Sequence, residues 1–274
     1  MSLQRIQEMN ILVEPAAASV FEAADTAAKE RAINRLATSK NRPLTLHAEQ
    51  MTELLLPEAK LLKRAERPTE MSIGDFTAAW MGRFSALQQM LLRRPESSGA
   101  ISVSAASGHC TLIGQVRIGK YIELEDPTGS IPLITAARLL PDDVVAVKGK
   151  VENGIMHAEE VMFPDVPLRE PKSPALTGTE LGRMANATGT EWWDCGGVSM
   201  LILKADWPGI ADKLGITITQ TPVELLRRRH TAMPPWDVID PAPDVLVAVG
   251  LGNQLSNYKG TRIMGTPQGT EATK

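Results

Sequence analysis

Two hydrophobic periods divide the chain. In DFTAAWMGRFSALQQMLLRR, Phe76, Trp80, Phe84, Leu87 and Leu91 recur at spacings of four, four, three and four, which predicts one apolar stripe on a helix with Asp75 as its N-cap. After RRPESSG the period drops to two. TLIGQVRI, KYIELE, SIPLIT, DVVAVKGKV and IMHAEEVMF then read as five short strands, the number for a small barrel or sandwich. Asp126, Pro127, Thr128 and Gly129 have the order of a type I turn, and Asn153-Gly154 supplies the positive φ angles of a two-residue hairpin. AARLLPDD predicts a short helix between the third and fourth strands, which makes the expected unit an oligonucleotide-binding (OB) type barrel.

On either side the pattern differs. Residues 1–56 are alanine-rich and helical in period, with Pro15 placed near a helix start, and predict a small helical domain. Residues 57–98, with Pro57, Arg67 and Pro68 at the front, predict a linker and the amphipathic helix; residues 99–168 are the barrel. The chain then passes through proline-rich FPDVPLREPKSPALTG into VSMLILKA, a predicted strand over 198–205. A segment around Trp207 and Ile210 follows. In TPVELLRRRH, Thr221 as N-cap, Pro222 in the first turn and Glu224 three residues on predict a capped helix with Arg227, Arg228 and Arg229 at its negative end. A final strand, loop and strand (TRIMG) complete an α/β domain over 169–266, and 267–274 read as a disordered tail. The fold class expected is α+β.

Composition adds mainly exclusions. Hydrophobic residues make up 43% of 274, ample for real cores. No apolar run approaches the roughly 18–20 residues of a spanning helix, and MSLQRIQEMN has no signal-peptide core, so no membrane contact and a cytoplasmic location are expected. Net charge is −3, and the barrel segment holds 5 basic against 9 acidic side chains, which is no footprint of a dedicated nucleic-acid binder. Cys110 and Cys195 lack metal-ligand spacing and read as buried thiols. His47, His109, His157 and His230 form no ligand set by spacing; His230 is expected to interact with the carbonyls at the end of its own helix.

The stretch PDVLVAVGLGNQLSNYKG raises the question of a phosphate loop. Gly250 and Gly252 give G-x-G, but Leu255 occupies the third glycine position and no acidic ribose partner follows a second strand. The motif reads as a strand-end loop.

IELEDPTGSIPLI, LLPDDVVAVKGKVENGIMHAEEVMFPDVPL and LLRRRHTAMP together resemble the small subunit of archaeal family D DNA polymerase, and the resemblance touches nearly the whole chain. It implies an OB domain joined to a calcineurin-like phosphoesterase domain, which in that family carries two metal ions and is associated with 3′ to 5′ exonuclease activity. The family's D-x-H, G-D-x-x-D, G-N-H-D/E and G-H-x-H blocks are absent here. Lys204, Ala205 and Asp206 stand where a Tyr-His-Gly motif ends the similar strand, and Gly252, Asn253 and Gln254 stand in the G-H-x-H loop. Asp206, Gly252, Asn253 and Gln254 are therefore vacated metal positions, the resemblance implies that 169–266 is a truncated, degenerate remnant of the phosphoesterase domain, and no catalytic residue, metal or other cofactor is expected.

The function this implies is a non-catalytic accessory or scaffold subunit in DNA replication or repair. It would dock the polymerase D large subunit or another replication protein, with Trp192, Trp193, Arg227, Arg228 and Arg229 as candidate contacts. An alternative is a single-strand-binding OB module using Arg117, Lys120, Tyr121, Lys148 and Lys150; such a face needs a cationic groove and aromatic platforms, and DNA contact is otherwise weak or indirect. A second alternative is a subunit of a polymerase with exonuclease activity.

Overall fold

The computed structural model describes residues 3–65, 70–174, 187, 189–231 and 238–267. The N-terminal unit packs α1 (Gln4–Gln7), α2 (Pro15–Ala23), α3 (Thr26–Thr38) and α4 (Ala48–Leu55) around Ile6, Phe21, Ile33, Leu36, Leu46 and Met51. Pro15 sits in the first turn of α2, where its missing N–H costs nothing. Asp25 caps α3 by accepting from Ala28 N at 2.8 Å. A two-residue parallel pairing of β1 (Leu12–Val13) with β2 (Thr45–Leu46) closes the unit.

The stretch expected as linker begins instead with a strand, β3 (Ala59–Ala65). Helix α5 (Ile73–Leu92) follows, and its N-cap is Ser72, not Asp75: Asp75 is the N3 partner, and the two side chains and backbones form a reciprocal capping box. The C-terminal half of the apolar stripe, Phe84, Leu87 and Leu91, packs on Ile113, Val144, Ala146 and Met162 of the barrel. The N-terminal half runs past it, and Phe76 remains 48% exposed.

The barrel is closed and five-stranded, in the order β4 (Gly108–Ile118), β5 (Ile122–Asp126), β6 (Gly129–Ile134), β8 (Ile155–Met162), β7 (Val144–Glu152). Only β6 and β8 run parallel, the connectivity of an OB barrel. Asp126 fixes the β5–β6 turn by accepting from Thr128 N at 2.8 Å and from Gly129 N at 3.1 Å, and Asn153 and Gly154 have φ of 52° and 75°. The helix expected at AARLLPDD is absent. Leu139 enters the barrel core while Leu140 enters the core of the following domain, and an extended chain, not a helix, sends neighbouring side chains to opposite sides.

The last domain is a six-stranded sheet in the order β12 (Leu255–Tyr258), β13 (Thr261–Thr266), β11 (Val245–Val249), β10 (Val198–Lys204), β9 (Thr190–Cys195), β3. Strands β10, β11 and β13 are parallel, and the flanking pairs are antiparallel. All five β11 residues are buried, as a parallel strand covered on both faces requires. The crossover from β10 to β11 carries α6 (Trp207–Leu214) and α7 (Thr221–Arg228), whose Trp207, Leu214, Leu225 and Leu226 pack under one face. Thr221 is not the N-cap of α7. The capping box lies one turn earlier, between Thr217 and Gln220, and Thr221 Oγ1 is buried without a hydrogen-bond partner among the described residues. Of the predicted tail, all but Pro267 lies outside the described residues.

Candidate functional site

Parallel strands end at a common edge, and ligand sites of open α/β sheets gather there. At the end of β10 a cavity of about 590 Å³ opens between Lys204, Asp206, Ile210 and Lys213 on one side and Leu140, Pro141, Asp142 and His230 on the other. It lies where barrel and sheet meet. Asp206 caps α6, with its carboxylate accepting from Gly209 N at 3.1 Å. Trp207 Nε1 donates to Val249 O at 2.8 Å and ties α6 to the end of β11.

Behind the cavity a buried polar cluster joins the two domains. The Arg228 guanidinium pairs with the Asp143 carboxylate, which is fully buried, and donates to Arg138 O at 3.0 Å. Asp143 Oδ2 also accepts from Leu140 N at 2.8 Å, and Arg83 of α5 donates to Asp142 O at 2.7 Å. Burial pushes the Asp143 carboxyl up to about 6, against the opposing pull of Arg228. His230, 5% exposed, has Nε2 at 3.4 Å from Pro141 O. Burial, with Arg83 and Arg228 close by, drives its pKa down to about 3, so the ring is neutral at pH 7. The carbonyl it meets belongs to the barrel loop, not to its own helix as expected.

These groups do not fit a pair of divalent cations. Two lysines line the cavity, the Asp206 carboxylate is spent on a helix cap, and His230 sits in a field of arginines that a metal ion would share. Among the described residues no three His, Cys, Asp or Glu side chains come together at ligand distance. The loop after β11 is a packed turn. Gly250 and Gly252 have φ of 89° and 75°, and their N–H groups donate to Thr266 O at 2.9 and 3.2 Å. Asn253 and Gln254 follow in the same turn, and Gly265 N donates to Gln254 O at 2.8 Å. A Cβ at Gly265 would collide with the Gly252 carbonyl, so the loop closes directly on β13.

The barrel cations are mostly held by acids of the same face. Arg117 pairs with Glu125 at 3.1 Å, Lys150 with Glu152, and Lys120 stands over the Tyr121 ring at 5.4 Å. Lys148 is exposed, with Glu160 opposite it on β8. Trp192 and Trp193 are 7% and 5% exposed strand residues, so their area is spent inside the sheet and not on a partner surface. Arg228 and Arg229 are equally enclosed. Arg229, left-handed at the end of α7, donates to Asp165 O and Ile239 O at 2.7 Å each. Arg227 lies over Phe163 at 4.5 Å and reaches Glu224 at 3.2 Å. Sequence reasoning missed Arg83, Asp142 and Asp143; the adjacent acids after LLP were the available signal.

No family model matches the chain. Three curated proteins are similar to it, each a DNA polymerase II small subunit. That of Methanothermobacter thermautotrophicus is 30% identical over 119 residues, 36% of this chain and 25% of the relative. Those of Archaeoglobus fulgidus and Pyrococcus furiosus are 28% and 27% identical, over 35% and 39% of this chain and 22% and 21% of theirs. The chain spans about a quarter or less of the length of the curated relatives it matches, and is a distant, partial relative of these small subunits.

Proposed function

We propose that this chain is a non-catalytic accessory subunit of a DNA polymerase assembly, acting in the cytoplasm in replication or repair by holding a protein partner, in first place a polymerase large subunit. The sheet domain is, in this reading, a shortened phosphoesterase-like remnant. The observation that carries it is the use made of the charged groups at the sheet's carboxyl edge. Arg228, Asp143 and His230 are consumed in bolting sheet to barrel, Arg83 in fastening α5 to the same barrel loop, and Asp206 in capping α6. Residues that would have to face a substrate serve to join the two modules, which suits a scaffold. The similarity to polymerase small subunits supports the choice of partner. Among the described residues no helix is long and apolar enough to cross a membrane.

Co-expression with the DNA polymerase II large subunit of the same organism, followed by affinity capture and size-exclusion chromatography with light scattering, tests this. A stoichiometric complex is expected. Elution of the chain as a lone monomer beside a folded large subunit would remove the proposal.

A further inference from the structure

A cavity of about 620 Å³ opens where the C-terminal end of α5, the connector that leaves the barrel and the sheet domain meet, within the roughly 300–1,000 Å³ range of ligand pockets. Its charged groups are Arg93 and Arg94 of the helix, Asp165 of the connector, and Arg229, Asp240 and Lys259 of the sheet domain, four cations against two carboxylates. Asp165 is already matched: it pairs with Lys259 and accepts from Tyr258 Oη at 2.9 Å and from Val166 N at 2.7 Å. Arg229 is enclosed, donates to two neutral carbonyls, and forms no ion pair among the described residues. Burial lowers its pKa against the pull of Asp240 and Asp165, so its charge reaches the cavity incompletely answered.

Arg93 and Arg94 are the cations in excess. Arg93, the C-cap of α5, is exposed, and its side chain has no hydrogen bond or ion pair among the described residues. Arg94 gives Nη1 to Phe163 O at 2.7 Å, and its acid, Glu96, stands 3.8 Å from Nε and outside the cavity walls. The carbonyls that end α5 are occupied, Gln89 O by Arg93 N and Leu91 O by Arg94 N and Ser97 Oγ.

The surplus is positive, so the occupant must carry negative charge. The uncharged wall narrows it further. Ala86, Met90 and Val166 are aliphatic, Leu168 is 84% exposed, and among the described residues no aromatic side chain lines the cavity. A nucleic-acid strand would find no stacking platform for its bases and would bring its repeated charge against Asp240. A carboxylate on an aliphatic chain meets both demands: it accepts parallel N–H bonds from a guanidinium, and apolar neighbours in its sequence cover Met90 and Leu168.

We propose that this cavity docks a segment of a partner protein that combines acidic and aliphatic residues, its carboxylate held by Arg93 and Arg94. The inference deepens the scaffold reading by naming the chemistry of the contact, and it rests on that reading for the occupant being a protein.

The test uses the full chain and a fluorescein-labelled Leu-Glu-Leu-Glu-Leu peptide, followed by fluorescence anisotropy. Saturable binding with a dissociation constant on the order of 0.1–1 mM is expected. The Leu-Gln-Leu-Gln-Leu counterpart and the Arg93→Gln protein should each bind at least about fivefold more weakly. Arg93 has an exposed side chain, so its loss leaves the fold in place, and Lys40→Gln, the same loss of charge on the N-terminal unit, should leave binding unchanged. Absence of saturation, equal binding of the two peptides, equal binding by Arg93→Gln, or tighter binding of an oligothymidylate of similar length would each overturn the pocket. The titration needs no polymerase subunit, so its failure is separate from that of the scaffold reading. Equal capture of the large subunit by wild type and Arg93→Glu would remove this inference and leave the scaffold reading intact; peptide binding by a chain that captures no large subunit would do the reverse.

Discussion

Replacing His230 with glutamine should change how stability responds to acid more than it changes stability at neutral pH. The ring is buried and neutral, with a folded pKa of about 3 against 6.5 in the unfolded chain. A depressed pKa contributes stability that is complete above the unfolded value and is lost as pH falls towards the folded one. At pH 7.5 neither state binds the proton, so the histidine adds no pH-dependent term. At pH 4.5 the unfolded chain is protonated and the folded one is not, two pH units below 6.5, which costs about 2–3 kcal/mol at 1.36 kcal/mol per unit. Glutamine cannot titrate and can still donate to Pro141 O. Urea unfolding of both proteins at the two pH values measures the difference directly. Between pH 7.5 and 4.5 the wild type should lose about 2–3 kcal/mol relative to His230→Gln. Asp143 works in the opposite sense, because its raised pKa makes ionisation a cost that acid relieves below about 6, but that term is common to both proteins. Parallel loss of stability in the two would mean that the folded ring takes up its proton, and the buried-neutral assignment would fail.

The Arg228–Asp143 pair allows a double-mutant test. Arg228→Met alone should cost about 3–5 kcal/mol in urea unfolding, because it strands a buried carboxylate; Asp143→Leu added to it should recover most of that loss. Recovery of nothing would show that the pair matters through Arg138 O or Phe163 instead. For nucleic acid, fluorescence anisotropy with an oligothymidylate at roughly physiological salt should give no binding tighter than about 1 μM, since the barrel cations are largely matched by acids. Tighter binding that disappears in Lys148→Ala/Lys150→Ala would refute this.

What the sequence made legible follows from where side-chain period and burial agree. The barrel strands alternate or run fully apolar between turns written in Asp-Pro-Thr-Gly and Asn-Gly, so local chemistry and tertiary position coincide, and strand boundaries follow closely. Strands β3 and β9 broke that agreement in different ways. In AKLLKRA a register shift between Leu61 and Lys63 destroys the alternation, and the edge position lets Lys60, Lys63 and Arg64 stay in solvent, so the segment looked like a charged linker. In TEWWDC both faces are covered, so adjacent tryptophans are buried together and the period disappears; their bulk suggested a partner surface when it was core.

The junction was hidden for a related reason. Leu139 and Leu140 belong to two separate cores, and Arg228 answers a carboxylate 85 positions away. A three-arginine run at a helix end reads locally as dipole complementation, and only the tertiary structure divides it into one buried ion pair, one backbone clamp and one ring contact. That division bears on function. Once Arg228 and Arg229 are committed internally, the cationic surface that this helix end can offer a partner shrinks to the partly exposed Arg227, itself paired with Glu224.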